Sequence, residues 1–287
     1  MRTQQQRIFF LAPLLLIVLP FLIGPTVFGF FASFTNYGPT EIHPHFVGVA
    51  NYAFVLRDKQ FAAAASNILW FTLVTVSAEL LFGFALAYLL RRPFRGQGLT
   101  RIVLLLPWLI SPIAHGVMWH FLTNADIGLL NFWPAWLGLS GPPSPLGVPG
   151  TALLATMLLD IWRKVPLASF LLLPGLQTIP AEQWDQATME GFSVLNRVRV
   201  VALPWLRPLL LTVAMLLIGD ALGTFETIQM LTGGGPGSRT VTPGLYSYTY
   251  AFKAHNWPIG IAAAWLVVAA VLLIGLCYVT LMRREVA

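Results

Sequence analysis

The chain is expected to fold as an all-α integral membrane protein with six transmembrane helices, both termini cytoplasmic, and one further helix in the loop between helices 4 and 5. Three observations predict this. Of its 287 residues 57% are hydrophobic and only 10% charged, where a soluble domain carries roughly 25% charged residues. Six apolar runs approach or exceed the roughly 20 residues needed to cross a bilayer. Arginine and lysine, finally, distribute unevenly among the loops between those runs.

The runs are Ile8 to Phe34, Asn67 to Leu90, Ile102 to Leu122, Thr151 to Leu173, Leu206 to Ile228 and Ile259 to Met282. The first follows Arg2 and Arg7 as a secretory signal would, but it exceeds the roughly 7–15-residue apolar region of such a signal and lacks a small-residue cleavage site. It is read as a retained helix. No remaining stretch is long enough for a soluble domain, so residues 1–287 form a single transmembrane domain.

With the N-terminus inside, eleven basic residues face the cytoplasm: Arg2, Arg7, Arg91, Arg92, Arg95, Arg101, Arg197, Arg199, Arg207, Arg283 and Arg284. Only Arg57, Lys59, Arg239 and Lys253 fall outside, and Arg163 and Lys164 lie within the fourth run. Cytoplasmic loops are the basic ones, which sets the orientation. The net charge of +6 therefore reports topology rather than nucleic acid. Cys277 is the sole cysteine and sits in an apolar run, so no disulfide framework forms within the chain. His43, His45, His115, His120 and His255 are scattered without a carboxylate or cysteine cluster, so no metal site is expected.

The loop from Ile179 to Pro208, polar and rich in helix formers, stands out. As a helix it places Trp184, Ala187, Gly191, Leu195 and Val198 on one apolar face, with Asp185, Gln186, Glu190 and Ser193 elsewhere. Pro180 suits the first helical position, and Glu182 and Asp185 put negative charge near the positive end of the helix dipole. Gly191 costs about 1 kcal/mol inside a helix, which suggests two short helices meeting there. Ala181 to Gly191 carry three acids and no base, a poor match for an anionic lipid surface. A protein partner is the better recipient.

Ionisable groups at membrane depth mark function or internal pairing. Asp160, Trp162, Arg163 and Lys164 lie mid-run, with Asp160 and Lys164 at a helical i, i+4 spacing. They form a structural ion pair, or Arg163 and Lys164 snorkel to an interface, or Asp160 and Trp162 meet a sugar, the ring against C–H faces and the carboxylate accepting from hydroxyls. Asp220, Thr224, Glu226 and Gln229 form a second group near the end of the fifth run, on two adjacent helix faces. These line a path, bond a neighbouring helix or reach the external interface. Gly233 to Gly237 with Tyr246, Tyr248, Tyr250, Phe252 and Trp257 read as an external gate meeting a partner or as an aromatic belt. Gly141 to Pro149 reads as a plain external loop.

The coupling-loop residues carry a resemblance. Asp185-Gln186-Ala187, then Glu190-Gly191, then Val201-Ala202-Leu203-Pro204 keep the spacing of the EAA motif of permease subunits from binding-protein-dependent ABC importers. Asp185, Gln186, Glu190 and Phe192 depart from the commonest residues of that motif. FVGVANY, LLPWLISP, DIWRKVPLASFLLLPGLQTIP and LTGGGPGSRTVT, spread along the chain, resemble the carbohydrate branch. The resemblance implies that the loop is a coupling helix seated in a cytoplasmic ATPase, with Asp185 and Glu190 in polar contact and Gly191 allowing close approach. It also implies that Asp160–Lys164 and Asp220–Gln229 overlie the sugar-contacting stretches of the maltose permease.

An assembly follows from the same resemblance: this chain, a second homologous permease, two ATPase subunits and a periplasmic or lipid-anchored binding protein, in a bacterial or archaeal cytoplasmic membrane. ATP and Mg would sit at the ATPases, and this chain, which lacks G-x-x-x-x-G-K-[ST], would hold no cofactor and make no bonds. Glycerol phosphate is the alternative cargo within the branch. A secondary transporter is the rival class, but no inverted repeat supports it, and it leaves the cytoplasmic loop without a purpose.

Overall fold

In an environment without water the backbone must satisfy its own hydrogen bonds, and a chain this apolar does so by forming helices. The computed structural model describes residues 18–39, 41, 43–124, 128–129 and 144–286, with side chains to residue 280. In chain order the helices are α1 (Val18–Ala32), α2 (Ala50–Arg57), α3 (Lys59–Leu90), α4 (Gln97–Leu109), α5 (Pro112–Leu122), α6 (Ala152–Gln177), α7 (Ala181–Met189), α8 (Val194–Arg197), α9 (Leu203–Leu222), α10 (Glu226–Leu231), α11 (Pro243–Tyr248) and α12 (Trp257–Val286). π-Helical turns occupy Val198–Ala202, joining α8 to α9, and Thr249–Lys253, after α11. Among the described residues the strand-like geometry is confined to one isolated antiparallel bridge, Thr35 to Phe46.

Among the described residues three helices are apolar and long enough to cross a membrane: Lys59–Leu90, Val194–Leu222 and Trp257–Thr280. The α4–α5 pair makes a fourth if its two arms count as one span. Helix α6 has 26 residues, about 39 Å at 1.5 Å per residue, but carries Asp160, Arg163 and Lys164 mid-helix. In the first run, Ile8 to Ile17 fall outside the described residues, as do Arg2 and Arg7.

Two expected spans differ from their runs. The third bends by 86° between α4 and α5. Ser111 caps α5 by accepting from the Ala114 N–H at 3.2 Å, and Pro112, with no N–H to give, occupies its first turn. The fifth does not run to Ile228: α9 stops at Leu222, and the chain re-forms as α10 only after Phe225. That short helix packs on α5, where Gly116 leaves so little room that a Cβ would lie 2.6 Å from Met230 Cβ and 3.0 Å from the Thr227 carbonyl. Apolar periodicity runs through such breaks because both arms remain apolar.

Contacts divide the chain into two units. The first comprises residues 1–62 and 246–268. Aromatic contacts join its parts, Phe30 edge-on to Trp265 at 5.0 Å and Tyr37 tilted against Trp257 at 5.8 Å. Buried Asn51 donates from Nδ2 to the carbonyls of Ser33 and Thr35, both at 2.8 Å. Asp58 accepts from the hydroxyls of Tyr246 at 2.6 Å and Tyr250 at 3.1 Å.

The second unit, residues 63–245 and 269–287, contains α4 to α10. Helix α6 packs on α4 and on α9. It meets α3 closely, since a Cβ on Gly83 would fall 2.6 Å from Ala168 Cβ.

Candidate functional site

The loop from Ile179 to Pro208 folds as two short helices that break at Gly191, as the cost of glycine inside one helix predicts. Gly191 has φ +74°, a left-handed conformation that glycine adopts without a Cβ penalty. The Phe192 N–H donates to the Ala187 carbonyl and the Gly191 N–H to the Thr188 carbonyl, both at 3.0 Å, the paired bonds of a Schellman cap that closes α7. Ser193 then starts α8 by accepting from the Asn196 N–H at 3.4 Å. Pro180 is the residue before the first turn rather than within it.

This break redistributes the expected apolar face. Ala187 is buried and Trp184 half-buried, but Leu195 is 75% exposed because the helix axis changes after Gly191. Met189 at 82% and Val194 at 55% join it on the surface. Asp185, Gln186 and Glu190 are exposed as well, Gln186 Nε2 donating to Glu190 Oε1 at 3.3 Å. Nothing lies within 4 Å of a Cβ built on Gly191, so what this chain demands of that position is its φ.

Trp184 anchors α7 from the other side. The Arg91 guanidinium lies 3.8 Å above its ring and 4.1 Å from that of Tyr88, at the end of α3. Cation–π contact of this kind contributes about 0.5–2 kcal/mol. A cleft of about 320 Å³ adjoins it, lined by Arg91, Arg92, Gln177, Trp184 and Asp185 among others.

Within the helices the two polar groups come together at one point. Lys164 Nζ lies 2.8 Å from Asp160 Oδ2 on its own helix and 2.5 Å from Asp220 Oδ2 on α9. Arg163 reaches Asp160 Oδ1 at 3.6 Å. The side chains of Lys164 and Asp160 are 2% and 1% exposed, that of Asp220 60%. Desolvating an ion pair is costly unless its geometry is good, and here one ammonium serves two carboxylates.

The remaining expected residues disperse. Trp162 does not join Asp160, since residues two apart point to different sides of a helix. It stacks instead on His115 at 6.0 Å and meets Trp119 edge-on at 5.4 Å, both from α5, and is 42% exposed. Thr224 is buried, its hydroxyl donating to the Asp220 carbonyl at 3.1 Å. Glu226 is exposed in the first turn of α10. Gln229 is half-buried, and its Oε1 has no hydrogen-bond partner among the described residues.

Outside the helices, Gly233, Gly234 and Gly237 have positive φ. The loop they shape is tied by Thr232 to Thr240 at 2.7 Å and by Asn67 Nδ2 donating to the Ser238 and Val241 carbonyls. Tyr246, 1% exposed, is an interior residue rather than part of a belt. Burial pushes the Asp58 carboxyl up, but the hydroxyls of Tyr246 and Tyr250 and the Gln60 N–H outweigh it and hold Asp58 below its ordinary value.

Residues 79–284 match the family described as binding-protein-dependent transport system inner membrane component. The chain belongs to that family. This inner membrane component is 34% identical over 271 residues to the trehalose/maltose transport system permease protein MalF of Thermococcus litoralis, covering 94% of this chain and 91% of that one. It is 28% identical over 277 residues to the multiple sugar-binding transport system permease protein MsmF of Streptococcus mutans, covering 96% and 94%. In fold it is similar to a bacterial ABC transporter of the acidic polysaccharide alginate, at TM-score 0.82 and 20% identity over 98% of each chain.

One residue of this inner membrane component escaped the sequence reading. Glu79 of α3 is fully buried, neither carboxyl oxygen has a hydrogen-bond partner among the described residues, and it lies within electrostatic reach of Lys164, Asp160, Asp220 and Arg163. The signal was available: Glu79 is the only acidic or basic residue between Asn67 and Leu90, and an acid inside a span is costly. Spacing cannot reveal a partner that arrives from another helix.

Proposed function

We propose that this chain is the transmembrane permease subunit of an ATP-driven ABC importer, passing a sugar or oligosaccharide delivered by an external binding protein across the cytoplasmic membrane by alternating access. The observation that carries the reading is the two-helix loop at Gly191, which leaves Met189, Val194 and Leu195 exposed beside Asp185 and Glu190. An exposed apolar patch rimmed by charge fits a protein partner. The names of the relatives support carbohydrate as cargo.

In this reading the six apolar runs span the membrane, and the excess of arginine on the coupling-loop side supports cytoplasmic termini. A second homologous permease and two ATPase subunits complete the channel, and ATP and Mg act at the ATPases alone. This chain is then non-catalytic and holds no cofactor. Asp220, exposed near the end of α9, faces the shared path rather than lipid, where a carboxylate costs roughly 2.5–3.5 kcal/mol.

Leu195→Glu and Met189→Glu test this, because both side chains are exposed and neither supports the fold. The expected result is an undiminished amount of protein in the membrane, with loss of ATPase co-purification and of ATP-driven sugar uptake. Full association and uptake in the double variant overturn the docking claim.

A further inference from the structure

We infer that Arg91 is a positioning residue for transport: stacked on Trp184, it fixes the loop helix α7 against the end of α3, so that movement of the loop is passed to the membrane helices; the inference rests on the importer reading above. Arg91 follows directly on α3. Its guanidinium lies 3.8 Å from the Trp184 ring and 4.1 Å from the Tyr88 ring, and its Nη2 donates to the Tyr88 hydroxyl at 3.1 Å. The two rings also meet edge-on at 6.0 Å, so one cation and two rings close a three-way contact between two elements. Tyr88 stands one turn beyond Phe84, on which it stacks at 6.3 Å. The neighbouring Gly83 is where α3 lies against Ala168 of α6.

The loop already has two anchors. At one end it continues from α6 through buried Ile179, and at the other it runs through π-helical turns into α9. Arg197 Nη1 donates to the Thr188 hydroxyl at 3.1 Å, which with the Schellman cap at Gly191 joins α7 and α8 into one body. Two anchors leave such a body free to rotate about the line between them. Contact with a third helix, α3, opposes that rotation, and Trp184 makes it. The next residue, Asp185, is on the exposed side, so a load applied there acts one residue from the stack. Arginine suits the position better than lysine: a planar guanidinium lies against both rings and still gives an N–H to the Tyr88 hydroxyl, whereas an ammonium is a point charge.

The test reconstitutes the complex of this chain with its sister permease, ATPases and external binding protein in proteoliposomes and reads labelled maltose or trehalose taken up per ATP hydrolysed. Arg91→Met and Trp184→Leu should leave ATPase co-purification and hydrolysis in place and lower that ratio about fivefold, the factor to which roughly 1 kcal/mol of cation–π contact corresponds. Trp184→Phe keeps a ring face for the guanidinium and should stay within about twofold of wild type. Combining Arg91→Met with Trp184→Leu should do no more than either alone. A second readout needs no cargo: spin labels on Leu89→Cys and Asn196→Cys, both exposed, in a Cys277→Ser background should give a narrow distance distribution with Arg91 and a broader one with Arg91→Met. An unchanged distribution, or an unchanged uptake ratio in an assembled variant, overturns the inference alone. Loss of assembly in both single variants does the same, since the stack would then be purely structural. Wild type that takes up neither sugar and whose hydrolysis ignores the binding protein overturns the importer reading, and the spin-label distances still decide whether Arg91 fixes α7.

Discussion

Lys164 of α6 and Asp220 of α9 meet at 2.5 Å, one side chain 2% exposed and the other 60%. The pair joins α6 to α9 and ends at the surface. Removing Lys164 therefore leaves Asp160, buried on the same helix, with Arg163 at 3.6 Å as its remaining cation. Lys164→Met should lower stability by about 3–5 kcal/mol, the penalty of removing one partner of a buried ion pair. Adding Asp160→Leu should recover most of it, because two apolar groups replace the buried pair. Thermal unfolding in detergent measures both; a single variant as stable as wild type would show that the cluster is not desolvated.

Gly191 holds φ +74° in a Schellman cap. Asparagine tolerates that conformation and valine does not. Gly191→Asn should keep ATPase association close to wild type, while Gly191→Val should strain the cap by roughly 1–2 kcal/mol and weaken association without lowering the membrane-inserted amount. Co-purification of the ATPase compares them. Equal binding by the two would detach coupling from this backbone angle.

Asp58 holds its carboxyl below the ordinary value through Tyr246 and Tyr250. A carboxyl whose native value lies below its unfolded one adds stability that is complete above about pH 4 and is lost as pH falls through the native value. Asp58→Asn should accordingly unfold at lower temperature than wild type at pH 7, with the two curves converging on acidification. Curves that stay parallel down to about pH 3 would mean that Asp58 contributes nothing through its charge.

Gly83 lets α3 approach α6, where a Cβ would stand 2.6 Å from Ala168 Cβ. Gly83→Ala should cost about 1–3 kcal/mol by overpacking. Ala168→Gly in the same chain should return part of that, the remainder reflecting the Ser169 backbone N at 3.1 Å. A double-mutant cycle on thermal stability reads the coupling, and additive effects would argue that the helices shift apart freely.

Much of the fold was legible because its signals are local. The runs from Asn67 to Leu90 and from Ile259 to Met282 lie within α3 and α12, as length and apolarity require. The cost of glycine at Gly191 foretold the break in the loop from Ile179 to Pro208. The i, i+4 spacing of Asp160 and Lys164 foretold their ion pair. Other features were illegible for equally physical reasons. The 86° bend after Leu109 leaves apolar composition unchanged, and the partners of Trp162 come from α5 rather than from its own helix.

By itself the sequence determined that this is a helical membrane protein with a polar, helix-forming loop between apolar runs, since hydropathy and a motif of fixed spacing are properties of neighbouring residues. Only the tertiary structure decided what the charges do. Asp220 and Glu79 are distant from Lys164 along the chain, and whether an acid in a span is compensated depends on which helix packs beside it. That is why Glu79, a single letter in an apolar run, becomes a buried acid without a hydrogen-bond partner among the described residues once the helices are packed.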